Sequence, residues 1–217
     1  MKWVSLFGAR NRVDHCTFSG KSELGTLLVV WRDDDGAVDQ HVIDHNAFLD
    51  RPAETENGAE IIRIGTSSTA TGRSETVVAH NYFHEASGEA EIISSKSGGN
   101  RFFANTFSAS AGLLTLRHGD DAHVEGNWFL AEGTDHAGGV RVVGTGHVVI
   151  NNYIEGVRTS SELRGGVVLM TGEEDPAASG YQPVEDVTIA HNTFVDCEQS
   201  LVLGARSYAV PPTRITL

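Results

Sequence analysis

Residues 79–83 read AHNYF, and six other five-residue segments of the chain share this pattern. The third residue is asparagine in all but one of them, where Cys16 replaces it, and the fifth is phenylalanine or isoleucine. Successive copies are 22 to 40 residues apart, so the chain is built from repeats. The other copies are DHCTF at 14–18, DHNAF at 44–48, FANTF at 103–107, EGNWF at 125–129, INNYI at 150–154 and AHNTF at 190–194.

Short β-type runs flank each copy. One, such as HVVI at 147–150, precedes the asparagine, and a second, such as LLTLRHG at 113–119, follows it. Two strands and an asparagine-bearing turn per repeat predict an all-β solenoid of about seven coils. A propeller is disfavoured because each blade needs about 40 residues and four strands. A sandwich gives no reason for one phrase to recur seven times.

The asparagines and the aromatic residues of the repeats have structural interpretations. Asparagine tolerates the left-handed region at turns, and stacked amides hydrogen-bond from coil to coil. The phenylalanines are predicted to form a stack in the core. The stacks comprise Asn46, Asn81, Asn105, Asn127, Asn152 and Asn192, and Phe18, Phe48, Phe83, Phe107 and Phe129.

The second run of each repeat predicts which side chains face outward. Counted from its opening glycine, residues two and four along are apolar and are expected to form inward columns. These are Ala90, Leu114, Val140 and Val167, then Ile92, Leu116, Val142 and Leu169. Odd positions are expected to share the outer face, and they comprise Glu89, Glu91, Thr115, Arg117 and Arg141.

Glu89 and Glu91 are a candidate calcium site. Adjacent carboxylates repel each other, and calcium prefers several carboxylate and amide oxygens. The preceding coil, at a spacing of about 4.8 Å, offers Asn57 and Glu60 as further ligands. The alternative is a solvated acidic face paired with Arg63.

Basic residues follow the acidic pair. Lys96 ends the same run, Arg117 lies on the next coil and Arg141 on the one after. Each alone would be an ordinary surface cation. Together they form a cationic track beside the acidic pocket, which suits a polymer of uronic acids.

Bulk properties exclude several classes of protein. The formal charge of −13 argues against a nucleic-acid partner, and an anionic sugar would need locally concentrated cations. There is no apolar run long enough to span a membrane, and we expect no signal peptide because the first residues lack an apolar h-region. Cys16 and Cys197 should lie about six coils apart, too far for a disulfide.

Four longer strings resemble one enzyme family. They are NGAEIIRIG (57–65), NYFHEASGEAEIISSKS (81–97), NTFSASAGLLTLRHG (105–119) and GGVRVVGTGHVVINNYIEG (138–156). They are similar to the polysaccharide lyase family that contains alginate lyases and the dermatan-cleaving chondroitinase B. The resemblance implies a right-handed, single-stranded parallel β-helix and an extracellular or periplasmic location. It also implies that residues 1–217 form one partial β-helix domain that lacks flanking coils.

The resemblance also implies residue roles. Calcium ligands fall on Asn57, Glu89 and Glu91, the catalytic base on Lys96 and the catalytic acid on Arg117. Substrate contacts fall on His118 and Arg141, and Arg63 extends the track. At Ala59 the family usually has a glycine.

The expected reaction is β-elimination of alginate, an anionic polysaccharide, with Ca²⁺ neutralising the uronate carboxylate. One alternative is a chondroitinase B-like lyase of dermatan sulfate, although no further basic cluster for sulfate is evident. The other is an inactive carbohydrate-binding β-helix fragment, which would have no need of a Lys96–Arg117 pair.

Overall fold

The chain forms a parallel β-helix in the computed structural model, which describes residues 1–33, 36–159 and 161–217. Three parallel sheets run along the helix axis, and each complete coil contributes one strand to each sheet. The described residues form eight strands in sheet A and seven each in sheets B and C. The prediction of an all-β parallel β-helix of about seven coils is therefore confirmed.

Sheet A contains β1 (Val4–Leu6), β4 (Leu28–Val30), β7 (Ile62–Ile64), β10 (Glu91–Lys96), β13 (Gly112–His118), β16 (Ala137–Val142), β19 (Val167–Met170) and β22 (Leu201–Ala205). Sheet B contains β2 (Arg12–Asp14), β5 (Val42–Asp44), β8 (Val77–Ala79), β11 (Arg101–Phe103), β14 (His123–Glu125), β17 (Val148–Ile150) and β20 (Thr188–Ala190). Sheet C contains β3 (Thr17–Ser19), β6 (Ala47–Arg51), β9 (Tyr82–Ala86), β12 (Thr106–Ser108), β15 (Trp128–Leu130), β18 (Tyr153–Glu155) and β21 (Thr193–Val195). A short 3₁₀ helix spans Ser67–Thr69.

The number of strands per coil differs from the sequence prediction of two. The residues after each asparagine, assigned to a turn, form the strands of sheet C. In β12, for example, Phe107 is buried and stacks on Phe83 and Phe129 at centroid distances of 4.6 and 4.7 Å. The aromatic core stack is thus confirmed, and the strand that carries it was missed because it is only three residues long in five of the seven copies.

The predicted asparagine ladder is present and buried. The side-chain amide of Asn81 donates to Oδ1 of Asn105 at 3.0 Å, and that of Asn105 donates to Oδ1 of Asn127 at 2.9 Å. The same oxygens accept backbone N–H groups; Asn81 N lies 3.0 Å from Asn105 Oδ1. The left-handed residue of the turn is the one before the asparagine, as at His80 with φ of 55°. The asparagine was expected in that conformation, and it instead bridges the coils.

Two bulges change the register between β10 and β13. Ile93, and not Ile92 as predicted, pairs with Leu114, because β10 contains an extra residue between Glu91 and Ile93. A second shift between Ser95 and Lys96 pairs Lys96 with His118. Both Ile92 and Ile93 are buried.

Two predictions from the bulk sequence concern membranes and cysteines. Cys16 and Cys197 are both free, as expected. Across the described part of the chain, helical structure nowhere reaches the length and apolarity that crossing a bilayer requires.

We predict that Asn105→Ala lowers the free energy of unfolding by about 3 kcal/mol, because it orphans the buried backbone N–H of Asn81 and removes two side-chain donor bonds. Urea unfolding followed by circular dichroism measures the loss. Asn192→Ala is the control, since Asn192 is half-buried in the last coil that carries an asparagine, where water can replace the amide. Equal losses in the two variants would contradict the ladder as a buried, cooperative element.

His147 predicts a pH effect on stability. Its Nδ1 accepts from Ala122 N at 3.1 Å, its Nε2 lies 3.0 Å from Val143 O, and burial lowers its pKa from the ordinary 6.5. Below about pH 6.5 the unfolded chain therefore binds a proton that the folded chain refuses, so stability falls as pH falls, by up to about 1.4 kcal/mol per pH unit.

The variant His147→Asn should flatten this pH dependence. Asn100 makes the equivalent pair of bonds two coils earlier, accepting from Thr76 N and donating to Ser97 O, both at 2.9 Å. Unfolding free energies at pH 7.5 and 5.5 test this, and the other titrating groups cancel because both proteins carry them. An unchanged difference between the two pH values would show that His147 does not carry the effect.

Candidate active site

Three carboxylates lie near one end of β10, close enough for their charges to interact. Glu91 begins the strand, Glu89 lies two residues earlier, and Glu60 precedes β7 on the neighbouring coil. Glu60 is fully buried, and its Oε2 accepts from Thr26 Oγ1 at 2.7 Å. The acidic pair and the preceding coil are therefore adjacent, as the repeat spacing predicted.

Glu89 shows the electrostatic consequence of this crowding. Burial, followed by repulsion from Glu60 and Glu91, raises its pKa to about 7, although the backbone N–H of Gly58 donates a hydrogen bond to it. Gly88 lets the segment that carries Glu89 approach the segment that carries Ala59, since a Cβ at position 88 would collide with the carbonyl oxygen of Ala59. The pocket thus concentrates negative charge where water is scarce.

The counterion of Glu91 is Arg141. Arg141 Nη2 donates to Glu91 Oε1 at 2.6 Å, and both side chains are largely buried. The sequence suggested Arg63 as the partner of an acidic face. The guanidinium of Arg63 instead lies over the ring of Trp31, 5.4 Å from its centroid.

The donor set of this pocket suits a divalent cation in its chemistry. Clustered carboxylates that repel each other, with one pKa raised to about 7, are stabilised when a cation joins them. Over residues 1–33, 36–159 and 161–217, His, Cys, Asp and Glu side chains do not gather in threes around a point that could hold a metal. Asn57 is exposed beside the pocket, and Glu91 is turned toward Arg141, so coordination by Glu91 would require its side chain to rotate.

Lys96 lies at the opposite end of β10. Its ammonium is 3.9 Å from Oε1 of Glu60, and its side chain is mostly buried. The extra residue of β10 between Glu91 and Ile93 matters here, since strict alternation from Gly88 would have pointed Lys96 into the core. Lys96 and the acidic pocket consequently share one surface of sheet A.

Arg117 and His118 end the adjacent strand β13. Arg117 Nη1 lies 3.3 Å from His118 Nδ1, and His118 is buried. Burial and the charges of Arg117 and Lys96 lower the pKa of His118 to about 3, so its imidazole is neutral and Nδ1 can accept from the guanidinium. Ser67 Oγ is 3.4 Å from the other ring nitrogen.

The loop that follows β19 holds Arg117 in place, and sequence reasoning missed it. The guanidinium donates to the carbonyl oxygens of Gly180 and Ser179 at 3.0 and 3.1 Å, and Tyr181 lies under it at 4.2 Å. A cavity of about 560 Å³ opens between this loop and His118. The only sequence signal was the 40-residue gap between the last two asparagines, which marks an insertion without showing where it packs.

The fold and the site together define a parallel β-helix protein with an acidic pocket next to a lysine–arginine pair on one sheet. The sequence model of the family described as Chondroitinase B matches residues 1–210. The chain belongs to this family, which confirms the resemblance.

Solved structures agree with this assignment. A mannuronic acid-specific polysaccharide family 6 lyase from human gut microbiota is 39% identical, with a TM-score of 0.92 over 99% of this chain. A family 6 alginate lyase in complex with a trisaccharide is 31% identical and has a TM-score of 0.90 over 99%. Alginate lyase AlyF-OU02 in complex with G6 is 30% identical, also with 0.90 over 99%.

This chain spans about half of each of these proteins, at 48%, 52% and 51% of their lengths. No curated protein sequence matches it.

Proposed function

We propose that the protein is a calcium-assisted polysaccharide lyase that cleaves alginate by β-elimination. The observation that carries the proposal is the placement of Lys96 and Arg117 on adjacent strands of sheet A, beside the carboxylate pocket. A base, a guanidinium and an acidic cation pocket on one face are what elimination from a uronate requires. The similar family 6 structures, described as alginate or mannuronate lyases, support alginate as the substrate.

Asn57, Glu89 and Glu91 would hold the calcium. When bound, the ion supplies charge neutralisation for the uronate carboxylate, which makes the C5 proton more acidic. Glu60 contributes negative charge to the same pocket and keeps Oε1 toward Lys96.

Lys96 acts as the base in its neutral form. Its nitrogen takes the C5 proton, the C5–H electron pair forms the C4–C5 double bond, and the C4–O bond breaks with its electrons on the leaving oxygen. The product sugar is unsaturated and conjugated to its carboxylate. Water protonates the leaving oxygen.

Arg117 stabilises that oxygen as a charged donor. Two carbonyls and the neutral His118 already accept from its two terminal nitrogens, so the guanidinium is fixed in orientation before substrate binds. Guanidinium loses its proton only with great difficulty, and hydrogen bonding therefore replaces full proton transfer in the role of catalytic acid. His118 contributes by accepting from Arg117.

Arg141 and Arg63 would contact neighbouring carboxylates. Arg141 already bonds a carboxylate, that of Glu91, and a planar guanidinium suits bidentate recognition of a uronate. Secretion to the periplasm or the extracellular space is part of the proposal, because a polymeric substrate lies outside the cell.

One second candidate has a specific observation behind it. The matching family carries the description Chondroitinase B, which favours dermatan sulfate as an alternative substrate for the same chemistry.

Ultraviolet absorbance of the conjugated product tests the proposal. We predict calcium-dependent growth of absorbance on alginate, its loss in chelator, and a decrease of about 10²–10⁴-fold in kcat for Lys96→Ala. Arg101→Ala is the matched control, because Arg101 is exposed on sheet B and contacts Phe103. It should retain the wild-type rate.

Other outcomes separate the alternatives. An increase in absorbance with dermatan sulfate but not with alginate would identify dermatan sulfate as the substrate. An increase that persists in chelator would show that the reaction does not need calcium. If the folded protein raises the absorbance of neither polymer, the lyase proposal is wrong and the carbohydrate-binding fragment becomes the favoured alternative.

A further inference from the structure

One outward column of sheet A crosses the centre of the site. Register pairing places six residues from consecutive coils side by side, at about 4.8 Å per coil. The column consists of Val29, Arg63, Ser94, Thr115, Arg141 and Val168. Its outer members are valines and its four central members are polar.

The four central members share an unusual property. Within the described residues, each has a buried side-chain atom without a hydrogen-bond partner, namely Arg63 Nε, Ser94 Oγ, Thr115 Oγ1 and Arg141 Nε. Ser94 and Thr115 are fully buried. Buried polar atoms are nearly always paired in folded proteins, so a run of four on adjacent strands needs a cause.

The fold does not supply that cause. Val29 and Val168 fill the same column, fully buried, and valine has nearly the shape of threonine. Other buried hydroxyls of the chain are paired; Ser110 Oγ donates to Ser108 O and accepts from Ala86 N, both at 2.9 Å. An apolar residue would therefore serve packing better at positions 94 and 115.

Position within the site points to a ligand. Ser94 lies between Glu91 and Lys96 on β10, and Thr115 lies two residues before Arg117 on β13. Arg141 reaches from β16 to Glu91 on β10, and this path crosses β13, the strand of Thr115. Its side chain thus covers the floor formed by the two hydroxyls.

We propose that the hydroxyls of Ser94 and Thr115 are binding residues for a carboxylate of the uronate chain. The ligand carboxylate draws Arg141 away from Glu91 and accepts from both hydroxyls in the space that the guanidinium leaves. Along the column, Arg63 and Arg141 then lie on the two sides of the hydroxyl pair. This inference rests on the proposed function and deepens it by naming the floor of the carboxylate subsite.

Calorimetric binding of a saturated mannuronate trisaccharide, with calcium present, tests this. The parent is the Lys96→Ala variant, which cannot turn the ligand over, and it is compared with versions that add Ser94→Ala or Thr115→Val. Each addition should weaken binding on the order of tenfold, since it removes a hydrogen bond to a charged group. The melting temperature should stay equal or rise, because a buried unpaired hydroxyl disappears.

Two controls distinguish ligand binding from a structural role. Ser110→Ala removes a paired buried hydroxyl, so it should lower the melting temperature and leave binding unchanged. The carboxyl-reduced trisaccharide lacks the recognised group, and the parent and the floor variants should bind it equally.

Several results would overturn the inference. One is that the Ser94→Ala and Thr115→Val versions bind the trisaccharide as tightly as the parent does. Another is that their melting temperatures fall as that of Ser110→Ala does, which would indicate that the hydroxyls are paired to buried water. If the Lys96→Ala parent does not bind the mannuronate trisaccharide, the proposed carboxylate subsite does not exist. The proposed function fails separately, when the wild-type chain produces no unsaturated product.

Discussion

The coil-to-coil spacing is the constraint on which the rest of the structure depends. Hydrogen bonds of the parallel sheets and of the asparagine ladder fix it at about 4.8 Å, and the buried phenylalanine stack fills the core at the same period. Because every coil repeats at this distance, side chains from different repeats become neighbours on one sheet. Glu60, Glu89, Lys96 and Arg117 are separated by as much as 57 residues in sequence and still share one surface.

This regular stacking allows a costly arrangement of charges on its surface. Glu60 and Glu89 are partly or fully shielded from water near Glu91, and His118 is buried beside Arg117 and Lys96. Each pKa displacement records free energy spent on holding a charged group among like charges or away from water. A rigid solenoid tolerates such groups because its stability comes from the ladder and the core, which are separate from sheet A's outer face.

The periodicity of the sequence predicted the features that recur in every coil. The asparagine ladder, the phenylalanine stack, the outward direction of Glu89 and the proximity of residues 57–60 to it all follow from spacing between repeats. The two bulges between β10 and β13 do not, because a bulge depends on how strands of unequal length align, and no single residue signals it. Ile92 was therefore assigned to the wrong column, and Lys96 faces the site only because of the same extra residue in β10.

Contacts that span more than one coil were also beyond the sequence. Arg141 reaches Glu91 two strands away, and the loop at residues 179–181, which follows β19, folds back over Arg117 from two strands further along sheet A. Neither contact has a periodic signature, since each depends on side-chain length or on where an insertion packs. Both contacts orient a guanidinium group. A guanidinium binds a carboxylate in a defined geometry, so its orientation must be fixed if it is to recognise the carboxylates of an anionic polymer. The repeat thus sets where the functional residues lie, and its irregularities set how they point.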